Sequence, residues 1–313
     1  MRLLRTATAG DHGAGTPTLA AMDPMRVAIA RAIRSRVAGP GARTVVREIV
    51  EADGERWFAP DRPIRTVHSD TAMFVGGLRA LLLQSLHPLA MAGVAAHSDY
   101  RSDPWGRLQR TAEFLTWTTF GTTEQAAKAC RRVRRVHATV TGTAPDGRPY
   151  RATDPHLLLW VHLAEIDSFL AAHQRYGSPP LDADQRDGYV ADMARVAEAV
   201  GVVEPPRSEA QLRTALASYR PELRGTKEAR DAARFLLLPP LPLAAYGPYA
   251  CLAASAVSLL PWWARLPLRL PVLPVTEAVV VRPAGKALME VIRWALAPSG
   301  PQFDVSEALP SAS

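Results

Sequence analysis

Residues 154–177 read DPHLLLWVHLAEIDSFLAAHQRYG. Asp154 and Pro155 open the segment as an acidic N-cap followed by proline at the first helical position, where the missing N–H costs nothing. The pattern predicts one long helix to about Tyr176, stopped by Gly177. Asp103-Pro104 repeats the device upstream, and His87-Pro88 is a variant of it. Three such starts within about seventy residues predict a rigid helical interior with sharp corners.

Working outward, strand signals are scarce. Period-2 alternation appears only at Pro149–Ala152 and Val279–Val281. Val27, Ile29, Ala30, Ile33 and Val37 open a first amphipathic helix, ended by the turn Gly39–Gly41. Asp61–Arg65 reads as a polar loop, and Asp70 as the N-cap of a helix through Phe74, Leu78, Leu81, Leu82 and Leu86. Thr122 or Thr123 caps a later helix. Pro145-Asp146-Gly147-Arg148 is a turn of hairpin type. Further helices are expected at about 182–200, 208–219 and 226–237. Residues 1–22 read as a disordered lead-in, with Met22 or Met25 as alternative starts, 23–297 as one helical domain, and 298–313 as a disordered tail.

The chain has 313 residues, 48% of them apolar and 21% charged, enough for a packed interior. A formal charge of +7 suits nucleic acid, anionic lipid or an anionic cofactor alike. Cys130 and Cys251 are too far apart for a zinc motif and too few for a disulfide scaffold. No secretory leader is evident, so a cytoplasmic location is expected. Residues 235–264 carry no charge, but five prolines interrupt them. A spanning helix needs about 20 apolar residues. This stretch is therefore read as short helices that pack on the core or make peripheral contact with a membrane.

No phosphate loop, dinucleotide fingerprint, nucleophile elbow or paired-cysteine site is present. Five features remain. His87-Pro88 is followed ten residues later by His97-Ser98-Asp99, each histidine either a ligand or a satisfied polar residue at a corner. Gly76-Gly77 stands inside a helix, where each glycine costs roughly 1 kcal/mol against alanine. Either close helix packing or a flat cofactor against bare backbone accounts for the pair. Arg107, Arg110, Thr111 and Phe114 share one helix face, an anion-facing surface with an apolar neighbour. The alternative is a solvated face with a salt bridge. The run Arg131-Arg132-Val133-Arg134-Arg135-Val136-His137 resembles a nucleic-acid patch, yet its arginines cannot all face one way. Val133, Val136, His137 and Val140 instead form an apolar stripe. A neutral imidazole there, flanked by cations that meet propionates, is what haem b requires; an ordinary core histidine is the alternative. His162, in the apolar run Leu158–His162, is expected to be buried as a second ligand, a distal acid–base group or an orienting partner.

The ordered series Gly76–Gln84, His87-Pro88, His97-Ser98, Asp103-Pro104-x-Gly106-Arg107-Leu108-x-Arg110-Thr111, Val136-His137, Tyr150-Arg151-Ala152-x-Asp154-Pro155 and Leu159–His162 resembles the MpaB-type/rubber oxygenase catalytic domain family, over roughly residues 60–275. The resemblance implies an all-helical haem b domain that uses dioxygen. Characterised members cleave carbon–carbon double bonds in isoprenoid chains. In the latex-clearing proteins an Arg-x-x-Lys-Thr segment lies near the haem, and a histidine on a following helix ligates the iron. Arg107, Arg110 and Thr111 match that segment, with arginine in place of lysine, and His137 matches the histidine. Those relatives also use a distal glutamate, for which the surroundings of Met91 and Gly93 offer no carboxylate.

The expectation is therefore an all-α, single multi-helix haem-binding domain, globin-like in part, with at most a minor β-hairpin. His137 is the metal ligand. Arg107, Arg110, Arg134, Gly76 and Gly77 complete the haem site, and Arg107, Arg110, Thr111 and His162 are the catalytic candidates. The expected partners are dioxygen and a small apolar substrate, isoprenoid or lipid-like, and no nucleic acid. A haem-binding or sensor protein without turnover is the alternative; a cofactor-free nucleic-acid scaffold is a third.

Overall fold

The computed structural model describes residues 24–37, 41–98 and 103–297. The lead-in, the tail and most of the Gly39–Gly41 turn lie outside the described residues. The elements run α1 (Pro24–Val37), α2 (Ala42–Glu51), α3 (Pro63–Ser69), α4 (Met73–Gln84), α5 (Pro88–His97), α6 (Pro104–Phe120) and α7 (Thr123–Thr139). An antiparallel hairpin of β1 (Thr141–Thr143) and β2 (Pro149–Arg151) follows. Then come α8 (Pro155–Tyr176), α9 (Ala183–Val200), α10 (Glu209–Tyr219), a 3₁₀ turn (Arg220–Glu222), α11 (Lys227–Leu237), α12 (Leu243–Leu259) and α13 (Trp262–Arg265). The C-terminal layer ends in α14 (Pro274–Thr276), a π-helical turn (Glu277–Val281) and α15 (Arg282–Leu296). The fold is all-α with one minor hairpin.

The helix starts follow the caps. Asp154, Asp103 and Thr122 each accept a backbone N–H of the helix they open. Asp182, Ser208 and Thr226 do the same for α9, α10 and α11. Three local readings are corrected. Pro63 begins α3 rather than sitting in a loop, because Ile64 and Arg65 are buried. Asp70 ends α3, and its carboxylate accepts the Ala72 N–H at 2.7 Å ahead of α4. Val279–Val281 is part of the π-helical turn, not an extended piece.

α8 is the central element, and α4 packs along it more extensively than any other pair. Trp160, Leu163, Ile166 and Phe169 of α8 are buried with Val75, Leu82 and Leu83 of α4 and with Tyr189 and Met193 of α9. Gly76 permits the close approach: a Cβ there would lie 2.7 Å from Phe169 Cδ1 and 3.1 Å from its Cα. Arg79 crosses the same interface. It pairs with Asp167 at 2.7 Å and donates to Ser168 Oγ at 2.6 Å and to the Leu259 carbonyl of α12 at 3.0 Å. A buried guanidinium satisfied in this way costs little of the desolvation that an unpaired one would.

Among the described residues no single helix is long and apolar enough to cross a membrane. The uncharged stretch divides. Ala253, Ala256, Val257 and Leu260 are buried, whereas Leu238, Leu243 and Tyr246 are exposed.

Candidate functional site

α6 and α7 form an antiparallel hairpin around Gly121-Thr122, locked by a reciprocal Thr122–Gln125 cap. A contact of 3.9 Å between Glu113 and Arg132 sets the register of the two helices. At 1.5 Å per residue, that register brings Arg107, Arg110 and Thr111 level with Arg134 and His137 at the open end. Arg107, Arg110 and Thr111 on α6 and Arg134 and His137 on α7 thus belong to one hairpin, whereas Gly76 and Gly77 lie on α4 and His162 on α8.

The members differ in exposure. Arg107 is half-buried and donates to Ser98 Oγ at 2.6 Å, which ties α6 to the end of α5. Arg110 is exposed and pairs with Asp103 at 3.3 Å. Thr111 and Arg134 are exposed, and the Thr111 hydroxyl donates to the Arg107 carbonyl at 3.1 Å. The expected apolar stripe on α7 is corrected: Val136 is 56% exposed, and α7 is buried instead through Ala126 and Cys130. His137 itself is half-buried. Its Nδ1 is inaccessible and has no hydrogen-bond partner. Burial lowers its pKa, so the ring is neutral near pH 7 and keeps a lone pair.

The neighbouring corner is firm. Tyr150 of the hairpin packs against Gly93 of α5, and His97 is 3.0 Å from the Thr141 carbonyl. Behind it, α8 presents two further groups. His162 is buried with Nε2 unpartnered, and burial pushes its pKa down to about 3. Three residues on, burial pushes the Glu165 carboxyl up to about 7. Tyr189, whose own pKa is raised by burial and by the Glu165 charge, stands 3.5 Å from His68 Nε2. His68 Nδ1 is 2.7 Å from Thr119 Oγ1. Glu165 and His68 lie deep among the helices and keep only partial accessible surface.

The two glycines part company. Gly76 is accounted for by packing on α8, and its Cα has no room for a cofactor. A Cβ on Gly77 would meet nothing within 4 Å. Phe114, Leu115 and Val161 are apolar, packed on the core, and only partly buried. An open polar cleft of ≈ 410 Å³, lined by Trp57, Arg62, Asp192 and Arg195, begins one turn along α9 from Tyr189. The Arg62–Asp192 ion pair occupies its wall.

The residues present fit a haem. The half-buried His137 ring carries an inaccessible Nδ1 without a partner, and Arg107, Arg110 and Arg134 lie on the same helix hairpin; Gly77, on α4, has open space over its backbone but is not part of that hairpin. A family model described as ER-bound oxygenase mpaB/B'/Rubber oxygenase, catalytic domain, matches residues 65–294. The chain belongs to this family. No curated protein and no solved structure matches it. The mpaB/rubber oxygenase match makes the chain an oxygenase-type catalytic domain, and its residues take in every sequence-predicted candidate from Gly76 to His162.

Glu165, His68, Tyr189 and Thr119 were not among the sequence-predicted residues of this mpaB/rubber oxygenase domain. Glu165 had a readable signal, a lone carboxylate at i+3 from His162 on an otherwise apolar face. His68 and Tyr189 meet only through the packing of α3 on α9.

Proposed function

We propose that this domain is a haem b-dependent oxygenase that acts with dioxygen on a small apolar substrate, isoprenoid or lipid-like. The observation that carries the reading is His137: a neutral imidazole nitrogen, inaccessible and without a partner, level with Arg107 and Arg110. His137 would hold the iron. Arg107, Arg110 and Arg134 would meet the propionates, and the bare backbone at Gly77 would leave room for the ring. The bound haem supplies the redox chemistry on dioxygen.

The chain's own residues do the rest. His162 stays neutral and orients whatever lies beside it. Glu165, close to half-protonated near neutrality, would accept or return a proton deep among the helices, a carboxyl supplied from α8 rather than from the α5 region. Phe114, Leu115 and Val161 exclude water from an apolar substrate. A lipid surface would meet the C-terminal layer, where, among the described residues, twelve of the fifteen exposed large apolar residues fall between Leu238 and Trp294. Exposed Arg269, Arg282 and Lys286 on that layer suit anionic headgroups.

A second reading, a haem-binding or sensor protein without turnover, draws on Arg110, which stands at the surface paired with Asp103. The deciding test is an absorption spectrum of purified protein saturated with haemin, beside His137→Ala, followed by oxygen uptake with a supplied isoprenoid. A Soret band lost in the variant, together with oxygen uptake, supports the oxygenase. A band without uptake selects the sensor. No band in the wild type overturns both.

A further inference from the structure

A separate cluster forms where three distant segments meet. His87 caps α5, His156 lies in the first turn of α8, and Glu222 ends the 3₁₀ turn after α10. His156 Nε2 is 3.0 and 2.9 Å from the two Glu222 oxygens, and His87 Nε2 is 3.4 Å from Glu222 Oε2. One donor atom from each residue lies within 4.8 Å of the other two.

His87 is the decisive member. It is 1% exposed, its Nδ1 has no hydrogen-bond partner, and the 3.4 Å contact of Nε2 with Glu222 Oε2 is too long and poorly aligned to satisfy it. A buried imidazole left in that state lacks the partner that its desolvation calls for.

The other groups are held in place without being used up. The His156 ring stacks on Tyr219 at 4.5 Å with 23° between planes, and the Tyr219 hydroxyl donates to the His156 carbonyl at 2.8 Å. Trp160 and Tyr219 flank His87 at 6.2 and 6.3 Å. Asp154 caps the His156 N–H, and Arg224 N–H binds the Leu86 carbonyl, fastening the 3₁₀ region beside His87. Arg148, whose charge reaches both His87 and Glu222, is itself paired to Asp146 at 2.7 Å.

We propose that His87, His156 and Glu222 form a binding site for one divalent first-row transition-metal ion, apart from the haem site. Metal–nitrogen bonds of about 2.0–2.1 Å at tetrahedral angles place donors roughly 3.3 Å apart. The separations at Glu222 already have that scale, so a cation enters by displacing the His156–Glu222 hydrogen bond. Two imidazoles and a carboxylate favour zinc, iron(II) or a neighbour over magnesium or calcium. His156 and Glu222 are half-exposed, which leaves the remaining coordination positions to water.

The experiment uses full-length, tag-free protein stripped with chelator. Zinc is titrated calorimetrically, and cobalt(II) is followed by its ligand-field absorption; magnesium is the control. The expected result is one zinc per chain, tetrahedral cobalt bands, and no response to magnesium. Glu222→Gln, a half-exposed and isosteric change, weakens zinc by at least about tenfold to a hundredfold. His156→Gln does likewise, with circular dichroism unchanged for both. His137→Ala leaves zinc binding intact, which keeps this outcome distinct from that of the haem reading. Absence of zinc binding, equal affinity for magnesium, or unchanged affinity in Glu222→Gln overturns the proposal.

Discussion

The Phe169 ring stands where a side chain on Gly76 would have to go, 2.7 Å from an ideal Cβ, whereas the adjacent Gly77 faces open space. Two neighbouring glycines on one helix therefore predict opposite outcomes. Gly76→Ala lowers stability by about 1–3 kcal/mol through overpacking, since the Phe169 Cα cannot swing away. Gly77→Ala raises stability by up to roughly 1 kcal/mol through helix propensity, and lowers haemin uptake. Denaturant melts of both variants, with haemin titration of Gly77→Ala, check the pair. Equal melts would refute the packing account of Gly76.

Arg107 and Arg110 separate in the same manner. Arg107 is half-buried and anchored to Ser98, whereas Arg110 is exposed beside Asp103. Arg107→Ala is expected to weaken haemin retention roughly tenfold to a hundredfold, the range of a lost charge-assisted hydrogen bond. Arg110→Ala changes it by no more than a few-fold, because an exposed pair is worth little. Haemin transfer to apomyoglobin measures both, and a larger effect at Arg110 would reverse the assignment.

Glu165 and His162 impose opposite pH slopes on stability. The Glu165 carboxyl is raised from 4.5 to about 7, so the unfolded chain ionises first as pH rises. Its contribution is whole below 4.5, falls as pH climbs toward 7, and is flat above; the loss is roughly 2 kcal/mol after its partial exposure is allowed for. His162 is lowered from 6.5 to about 3, so the unfolded chain takes up its proton first as pH falls. Stability is lost from 6.5 downward on its account. Glu165→Gln flattens the neutral limb of the pH–stability curve and His162→Gln the acid limb. A Glu165→Gln curve parallel to wild type would show that this carboxyl does not titrate there.

The C-terminal layer predicts lipid binding that depends on both its apolar and its basic residues. Val275 and Val279 are 75% and 69% exposed. Changing both to Asp reduces sedimentation with anionic vesicles by at least about tenfold, from lost burial and added repulsion. Raised salt weakens wild-type binding only in part. Unchanged sedimentation of the double variant would remove the lipid surface as a partner.

Much of the fold was legible because capping is local chemistry. Asp154-Pro155, Asp103-Pro104 and Ser208 announce helix starts within a few residues, and the starts lie there. Orientation was less legible. Val133 and Val136 outweigh Ala126 in any hydrophobic count, yet α7 turns its small residues inward, because Ala126 and Cys130 let it approach its neighbours closely. Pro63 was misplaced because a proline that ends one helix and one that starts another read alike until burial of Ile64 is known. His87 was legible only as a histidine before proline, grouped with His97; His156 and Glu222 had no pattern to read, since each lies at the edge of a different element and only tertiary packing assembles the three.

Arg79 has a mechanical consequence. One guanidinium grips α8 at Asp167 and Ser168 and α12 at Leu259, so α4, α8 and α12 behave as a single beam. Pro248 interrupts α12 between that grip and the exposed Leu243 and Tyr246, so the cross-link fixes the inner half of α12 and leaves its outer end outside it. His162 and Glu165 lie on the stretch of α8 that this grip holds, within five residues of Asp167.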